Sequence, residues 1–195
     1  LLFDHFFLQA GTGFPTHPHR GFEAITYLFK GGMRHKDNLG NDSTMLAGGA
    51  QRFTAGAGIE HSEMPAGESS GIQLWINLPA AQKMSDPAYQ EYAATAIPTV
   101  RAAGVVVRVL SGEYRGHRGP IQDPYSELCY LDVELGPEET FRQGIADELD
   151  GFVYPFEGDL RVDGKRLPTH ELGVLGKGDT LEVEAGAQGA RFILV

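Results

Sequence analysis

Hydrophobic and polar residues alternate with a period of two along much of this chain. Residues 71–79, GIQLWINLP, place aliphatic side chains on one face: Ile72, Leu74, Ile76 and Leu78. Residues 128–135, LCYLDVEL, repeat the pattern with Cys129, Leu131, Val133 and Leu135. Successive side chains of a β-strand point to opposite faces, so both segments are predicted to be strands.

Turn signals separate the predicted strands. The chain has 26 glycines and 11 prolines, and Asp163-Gly164 between extended flanks predicts a two-residue hairpin. The one predicted helix is short, at residues 86–92, with Asp86 as its N-cap and Pro87 in its first turn. Residues 84–104 interrupt the strand pattern and are interpreted as a connector between two β units. Many short strands with glycine-rich turns are typical of a sandwich or barrel.

Composition narrows the possible functions. The net charge of −10 disfavours direct binding to nucleic acid, because an acidic surface repels phosphates. A single cysteine, Cys129, rules out an intrachain disulfide and a multi-cysteine zinc site. The chain has no apolar run of membrane-spanning length, and its first ten residues lack a basic leader. We therefore expect a soluble cytoplasmic protein that does not bind membranes.

Two histidines stand two residues apart at the start of a predicted strand, in the sequence His17-Pro18-His19. Side chains at i and i+2 share one face of a strand, roughly 6.5–7 Å apart. Pro18 cannot donate a hydrogen bond to a neighbouring strand, so this segment is predicted at a sheet edge, a strand start or a bulge.

His61 and Glu63 form a second i, i+2 pair, after the turn glycines Gly56 and Gly58. Two such pairs on adjacent strands would bring three imidazoles and a carboxylate together. This ligand set suits a first-row transition metal, most of all Fe(II), although Zn, Ni, Mn, Co and Cu are possible. An isolated H-x-H pair is commonly incidental. The second pair favours a metal site, because coordination removes the cost of burying unpaired polar groups.

Other candidate features carry simpler interpretations. A hydrolase based on His61-Ser62-Glu63 is rejected, since Ser62 points to the opposite strand face. His35 is expected on the surface because charged residues surround it. The aromatic residues Phe14, Phe22, Phe53 and Trp75 are equally compatible with a core and with the lining of a pocket for a flat aromatic ligand.

Three segments together resemble the signature sequences of the pirin family, which belongs to the cupin superfamily. They are GTGFPTHPHRGFEAITYLFKGG at 11–32, TAGAGIEHSEMP at 54–65 and GIQLWINLPAAQKMSDPAYQEY at 71–92. The resemblance implies an all-β bicupin, two antiparallel jelly-roll barrels with a short helical connector. The implied domains are an N-terminal barrel at 1–92, which carries the metal, and a C-terminal barrel at 105–195. The second barrel has no H-x-H and is predicted to be metal-free.

The resemblance also implies the ligands and the activity. The family's metal ligands correspond to His17, His19, His61 and Glu63; Glu23 matches a further cupin glutamate on which pirins do not rely. The implied activity is that of a quercetin 2,3-dioxygenase acting on a flavonol with dioxygen, with Glu63 as the general base. The alternative is an iron-dependent redox sensor that regulates a protein partner without catalysis.

Overall fold

A computed structural model describes residues 2–122, 125, 127–146 and 149–195 of the chain. The chain divides into two compact units, Leu1–Ile97 and Pro98–Val195. All pairing between strands is antiparallel in the described residues, apart from one parallel bridge between Ser111 and Ile121. The all-β prediction is confirmed. No helix in these residues has the length and apolar character needed to cross a membrane.

The described residues of the first unit form nine strands in two sheets. The strands are β1 Leu2–Leu8, β2 Phe14–His19, β3 Phe22–Lys30, β4 Gly32–Asp37, β5 Asp42–Leu46, β6 Ala50–Thr54, β7 Ile59–Pro65, β8 Ser69–Asn77 and β9 Ala88–Tyr92. One sheet has the order β1-β8-β3-β6-β9 and the other the order β2-β7-β4-β5.

Apolar residues from both sheets meet in the interior of the first unit. One cluster joins Phe6 and Leu28 to Met33 and Met45. A second cluster, Ala24, Phe53, Ala55 and Ile59, packs against Phe22, Trp75 and Tyr89. Burial of apolar surface stabilises the folded state by about 25 cal/mol per Å². It is the main contribution that holds the two sheets together.

The predicted helix at residues 86–92 is wrong. Residues 88–92 form strand β9, which pairs with β6 from Ala50↔Tyr92 to Thr54↔Ala88. The Asp86-Pro87 signal is local, whereas the hydrogen bonds to β6 and the contact of Tyr89 with the core come from distant residues and outweigh it. The helical content of the connecting region is limited to two 3-10 turns, Ala80–Gln82 and Ala94–Ala96.

The second unit contains a six-stranded sheet, β10-β11-β14-β21-β16-β19, a four-stranded sheet, β15-β20-β17-β18, and the pair β12-β13. Its strands are β10 Thr99–Ala102, β11 Val105–Ser111, β12 Glu113–Tyr114, β13 His117–Arg118, β14 Tyr130–Leu135, β15 Thr140–Gly144, β16 Phe152–Glu157, β17 Leu160–Val162, β18 Lys165–Leu167, β19 Gly173–Val174, β20 Thr180–Ala185 and β21 Ala190–Leu194.

Both sequence signals in the second unit appear in its structure. Asp163 and Gly164 have positive φ angles of 49° and 69° and join β17 to β18, so the predicted hairpin is confirmed. The aliphatic face of β14 lies in the core with Phe141, Val183 and Phe192. On the polar face, Asp132 is buried and accepts two hydrogen bonds from Arg191, whereas Glu134 is exposed.

Candidate metal centre

Strands β2 and β7 bring the two sequence pairs side by side. His17 lies opposite His61, and His19 lies opposite Ile59, in an antiparallel register with an irregularity between Phe14 and His17. Strand β2 is an edge strand of its sheet. The edge position, one of the three alternatives expected for this segment, is therefore confirmed, whereas the irregularity precedes His17 and Pro18 itself lies opposite Glu60 in regular register.

Three imidazoles converge in the first unit. The ligand atoms of His17, His19 and His61 all lie within 4.8 Å of one another. The Nε2 atoms of His17 and His19 are 2.9 Å apart, and the ring of His61 lies 4.6 Å from His17 and 5.0 Å from His19 between centroids. The sequence spacing predicted this convergence on the condition that the two strands are neighbours. Strands β2 and β7 meet this condition.

Hydrogen bonding fixes the orientation of one of these rings. The Nδ1 atom of His17 lies 2.7 Å from the backbone oxygen of Pro15, a geometry in which Nδ1–H donates. A neutral His17 therefore carries its lone pair on Nε2, the atom that faces His19. Such a bond to the remote nitrogen is how proteins commonly orient an imidazole ligand.

The environment of the His61 ring indicates whether these three residues are suited to bind a metal ion. Its side chain is 1 % exposed, and neither ring nitrogen has a hydrogen-bond partner in the described residues. Burial lowers the pKa of His61 to about 3 and that of His19 to about 4, with the nearby imidazoles adding to both shifts. Neutral imidazole is the form that binds a metal, so the three residues fit a divalent transition ion.

Glu63 lies on the same strand face as His61 but stands outside the group of three imidazoles. Its buried carboxylate accepts hydrogen bonds from the side chains of Gln51, from Gln73 at 2.8 Å and from Thr26 at 3.3 Å. Burial raises the pKa of Glu63, while these hydrogen bonds and the neighbouring histidines act in the opposite direction. Its assignment as a metal ligand stays a prediction.

A fourth histidine lies beside the centre, where a surface residue was expected. His35 is fully buried, pairs with Glu63 across β4 and β7, and has its ring 5.3 Å from that of His61. Its Nε2 lies 3.0 Å from the carboxylate of Asp37, and its ring stacks on Tyr89 at 4.0 Å. The surface prediction is wrong because the fold places the ring of Tyr89, from the distant strand β9, against His35. The signal was present: His35-Lys36-Asp37 is another i, i+2 pair.

The aromatic candidates divide between core and site. Phe53 is buried in the core, with its ring 4.7 Å from His61. Phe22 and Trp75 are half-buried and stack on each other at 4.3 Å. Both rings also lie next to His19, at 4.9 Å and 5.2 Å. We call Phe22 and Trp75 the aromatic wall of the centre.

The remaining glutamate and serine candidates do not belong to the group of three imidazoles. Glu23 is buried and forms an ion pair with Arg52 at 2.5 Å, with a further hydrogen bond from Thr54. Ser62 is half-buried between two buried neighbours on β7, as the alternation predicts, so the rejected hydrolase geometry is absent from this segment.

Comparison with known proteins gives consistent matches over both units. The family described as Pirin matches residues 3–76, and the Pirin C-terminal cupin domain matches residues 130–195. A pirin-like protein of Caulobacter vibrioides is 44 % identical over 94 % of this chain and 68 % of its own length. Pirin of Homo sapiens is 39 % identical over 100 % of this chain and 70 % of its own.

A solved structure extends the match to the fold of both units. The structure of quercetin 2,3-dioxygenase from Acinetobacter baumannii superimposes with a TM-score of 0.88 at 29 % identity. It covers 99 % of this chain and 70 % of that one. Together with the family matches, this confirms two cupin domains in one chain.

Proposed function

We propose that this chain, which belongs to the pirin family, is a metal-dependent dioxygenase that uses Fe(II) to open flavonols of the quercetin type. The observation that carries the proposal is the convergence of three imidazoles within 4.8 Å, one of them buried with no hydrogen-bond partner for either ring nitrogen among the described residues. The likeness to quercetin 2,3-dioxygenase at 29 % identity supports the substrate class.

The side chains of the centre have separate roles in this proposal. His17, His19 and His61 hold the metal, and Glu63 is the fourth predicted ligand. A divalent ion bound there would act as a Lewis acid toward the substrate hydroxyl and as the site for dioxygen. Glu63 accepts the hydroxyl proton, a task for which the raised pKa of a buried carboxylate is suited. Overall, dioxygen is consumed, the heterocycle opens and carbon monoxide leaves.

The aromatic wall supports the proposal of a flat aromatic substrate. Phe22 and Trp75 present stacked rings beside His19, and an aromatic ligand packs well against such a surface. A half-buried wall is accessible to a ligand, unlike the fully buried ring of Phe53.

The test is oxygen uptake with quercetin after anaerobic loading with Fe(II), compared with Zn, Ni, Mn, Co and Cu. The expected result is loss of flavonol absorbance with equimolar oxygen consumption in the wild type, and neither in His61→Ala. His117→Ala is the matched control, since His117 is exposed in the second unit. The proposal fails if Fe-loaded wild type consumes no oxygen with any flavonol tested.

A regulatory role is the second candidate. The relatives at 39–44 % identity carry the name pirin, whereas the similarity to the dioxygenase structure is 29 %. In this role, the oxidation state of a bound iron changes affinity for a protein partner. It predicts metal-dependent partner binding together with quercetin that stays unchanged in the oxygen-uptake assay.

A further inference from the structure

Two side-chain amides enclose the carboxylate of Glu63. The Nε2 atom of Gln73 donates to Oε2 at 2.8 Å, and Nε2 of Gln51 donates to Oε1. Each carboxylate oxygen thus receives an amide N–H. This arrangement holds only while both amides keep their NH₂ groups toward Glu63, since a flipped amide would place oxygen against oxygen.

Trp75 determines the orientation of the Gln73 amide. The indole Nε1–H can only donate, and it donates to Oε1 of Gln73 at 2.8 Å. The oxygen of this amide must therefore face Trp75, which leaves its NH₂ group for Glu63. On the other side, the hydroxyl oxygen of Tyr89 lies 3.2 Å from Oε1 of Gln51 and 2.9 Å from a carboxylate oxygen of Glu91.

The alternation of side chains along β8 explains why Trp75 can form a hydrogen bond with Gln73. Gln73 and Trp75 stand at i and i+2 on that strand and share a face. The ladder between β8 and β3 places Gln73 opposite Thr26, which itself donates to Glu63, and places Trp75 opposite Ala24. The indole also packs against Phe22 and His19, so one side chain contacts both the aromatic wall and the chain of hydrogen bonds to Glu63.

We propose that Gln73 is a positioning residue that holds Glu63 in place beside the three imidazoles, and that Trp75 acts through Gln73 by fixing its amide. The consequence for metal binding rests on the proposed function, in which Glu63 belongs to the metal centre. The hydrogen-bonded chain Trp75–Gln73–Glu63 itself exists without a metal.

The test is a double-mutant cycle read by Co(II) affinity and by the visible Co(II) spectrum, with no substrate present. Gln73→Leu should weaken Co(II) binding about 10- to 100-fold, the usual effect of losing a partner of a metal ligand. Trp75→Phe keeps an aromatic ring, loses the donor and should weaken binding about 2- to 10-fold. The double variant should bind within about twofold of Gln73→Leu alone, because Trp75 has nothing left to orient.

The matched control is Gln90→Leu, the same substitution at an exposed glutamine on β9, the edge strand of the same sheet. It should leave the affinity and the spectrum unchanged. The proposal is overturned if the effects of Gln73→Leu and Trp75→Phe multiply in the double variant, or if both single variants bind Co(II) like the wild type.

A measurement on the metal-free wild type keeps the test independent of whether the variants fold. Trp75 is the only tryptophan, so a proton NMR spectrum contains one indole N–H resonance. Protection of this proton from solvent exchange by at least about tenfold is expected for a hydrogen-bonded indole; exchange at the rate of an exposed indole overturns the proposal. Failure of the wild type to bind any metal, with the indole still protected, would instead count against the proposed function.

Discussion

Replacement of His61 by leucine should change the stability of the protein in opposite directions with and without metal. In the metal-free protein, the two ring nitrogens of His61 are buried and have no hydrogen-bond partner among the described residues. A leucine of similar size would remove both polar atoms and pack against Phe53, whose ring lies 4.7 Å from that of His61.

The magnitude follows from the cost of leaving a buried polar group unpaired, about 1–3 kcal/mol. His61→Leu should therefore raise the free energy of unfolding of the metal-free protein by about 1–3 kcal/mol at pH 7. The wild type, in contrast, gains about 4.1 kcal/mol when metal is present at about 1,000 times its Kd, and the variant should gain nothing. With metal at that concentration, the wild type should be the more stable protein.

Guanidinium titrations with chelator and with Co(II) measure both effects. Trp75 lies in the first unit, so its fluorescence follows the unfolding of the unit that carries the centre. His117→Leu, at an exposed histidine of the second unit, is the control and should alter neither curve. If His61→Leu destabilises the metal-free protein, or if it keeps the metal-dependent gain, then the reasoning about the buried ring is refuted.

Four further predictions concern the same unit. His17→Ala should no longer bind a stoichiometric amount of metal, as measured by elemental analysis. Glu63→Gln should keep part of the metal but turn over flavonol about 10²-fold more slowly or worse. Turnover equal to that of the wild type would contradict the role of Glu63 as a base. Since burial lowers the pKa of His61 from 6.5 to about 3, the unfolded chain binds a proton first on acidification. This group alone should thus remove about 2 kcal/mol of stability from the metal-free protein between pH 7 and pH 5 and have no effect above pH 7, as measured by the difference between the wild type and His61→Leu in denaturation at each pH. Arg52→Met should cost about 3–5 kcal/mol in urea denaturation by leaving buried Glu23 without its cation, and a loss under 1 kcal/mol would contradict the role of that pair.

The histidine site was predictable because its signal is local. Two residues at i and i+2 share a strand face whatever the rest of the fold does, so His17 with His19, and His61 with Glu63, could be identified as pairs. That the pairs meet depended on β2 lying next to β7 in register, which the family resemblance implied and the pairing of His17 with His61 shows.

Errors arose where distant residues decide the environment. His35 has charged neighbours in the sequence, yet it is fully buried in the fold, where the ring of Tyr89 from β9 stacks on it. Residues 88–92 carry a local helix-start signal, but pairing with β6 makes them a strand. A short segment has too little intrinsic preference to resist a complete ladder of hydrogen bonds.

The sequence by itself determined the strand pattern, the turns and the residue types able to bind a metal, because these depend on backbone geometry and side-chain chemistry within a few residues. The tertiary structure alone decided that His61 is buried with no hydrogen-bond partner for its ring among the described residues, that the ring of Tyr89 stacks on His35, and that Gln73 reaches Glu63. These properties depend on burial and on contacts between strands far apart in the chain, and no local pattern encodes the distance between such strands.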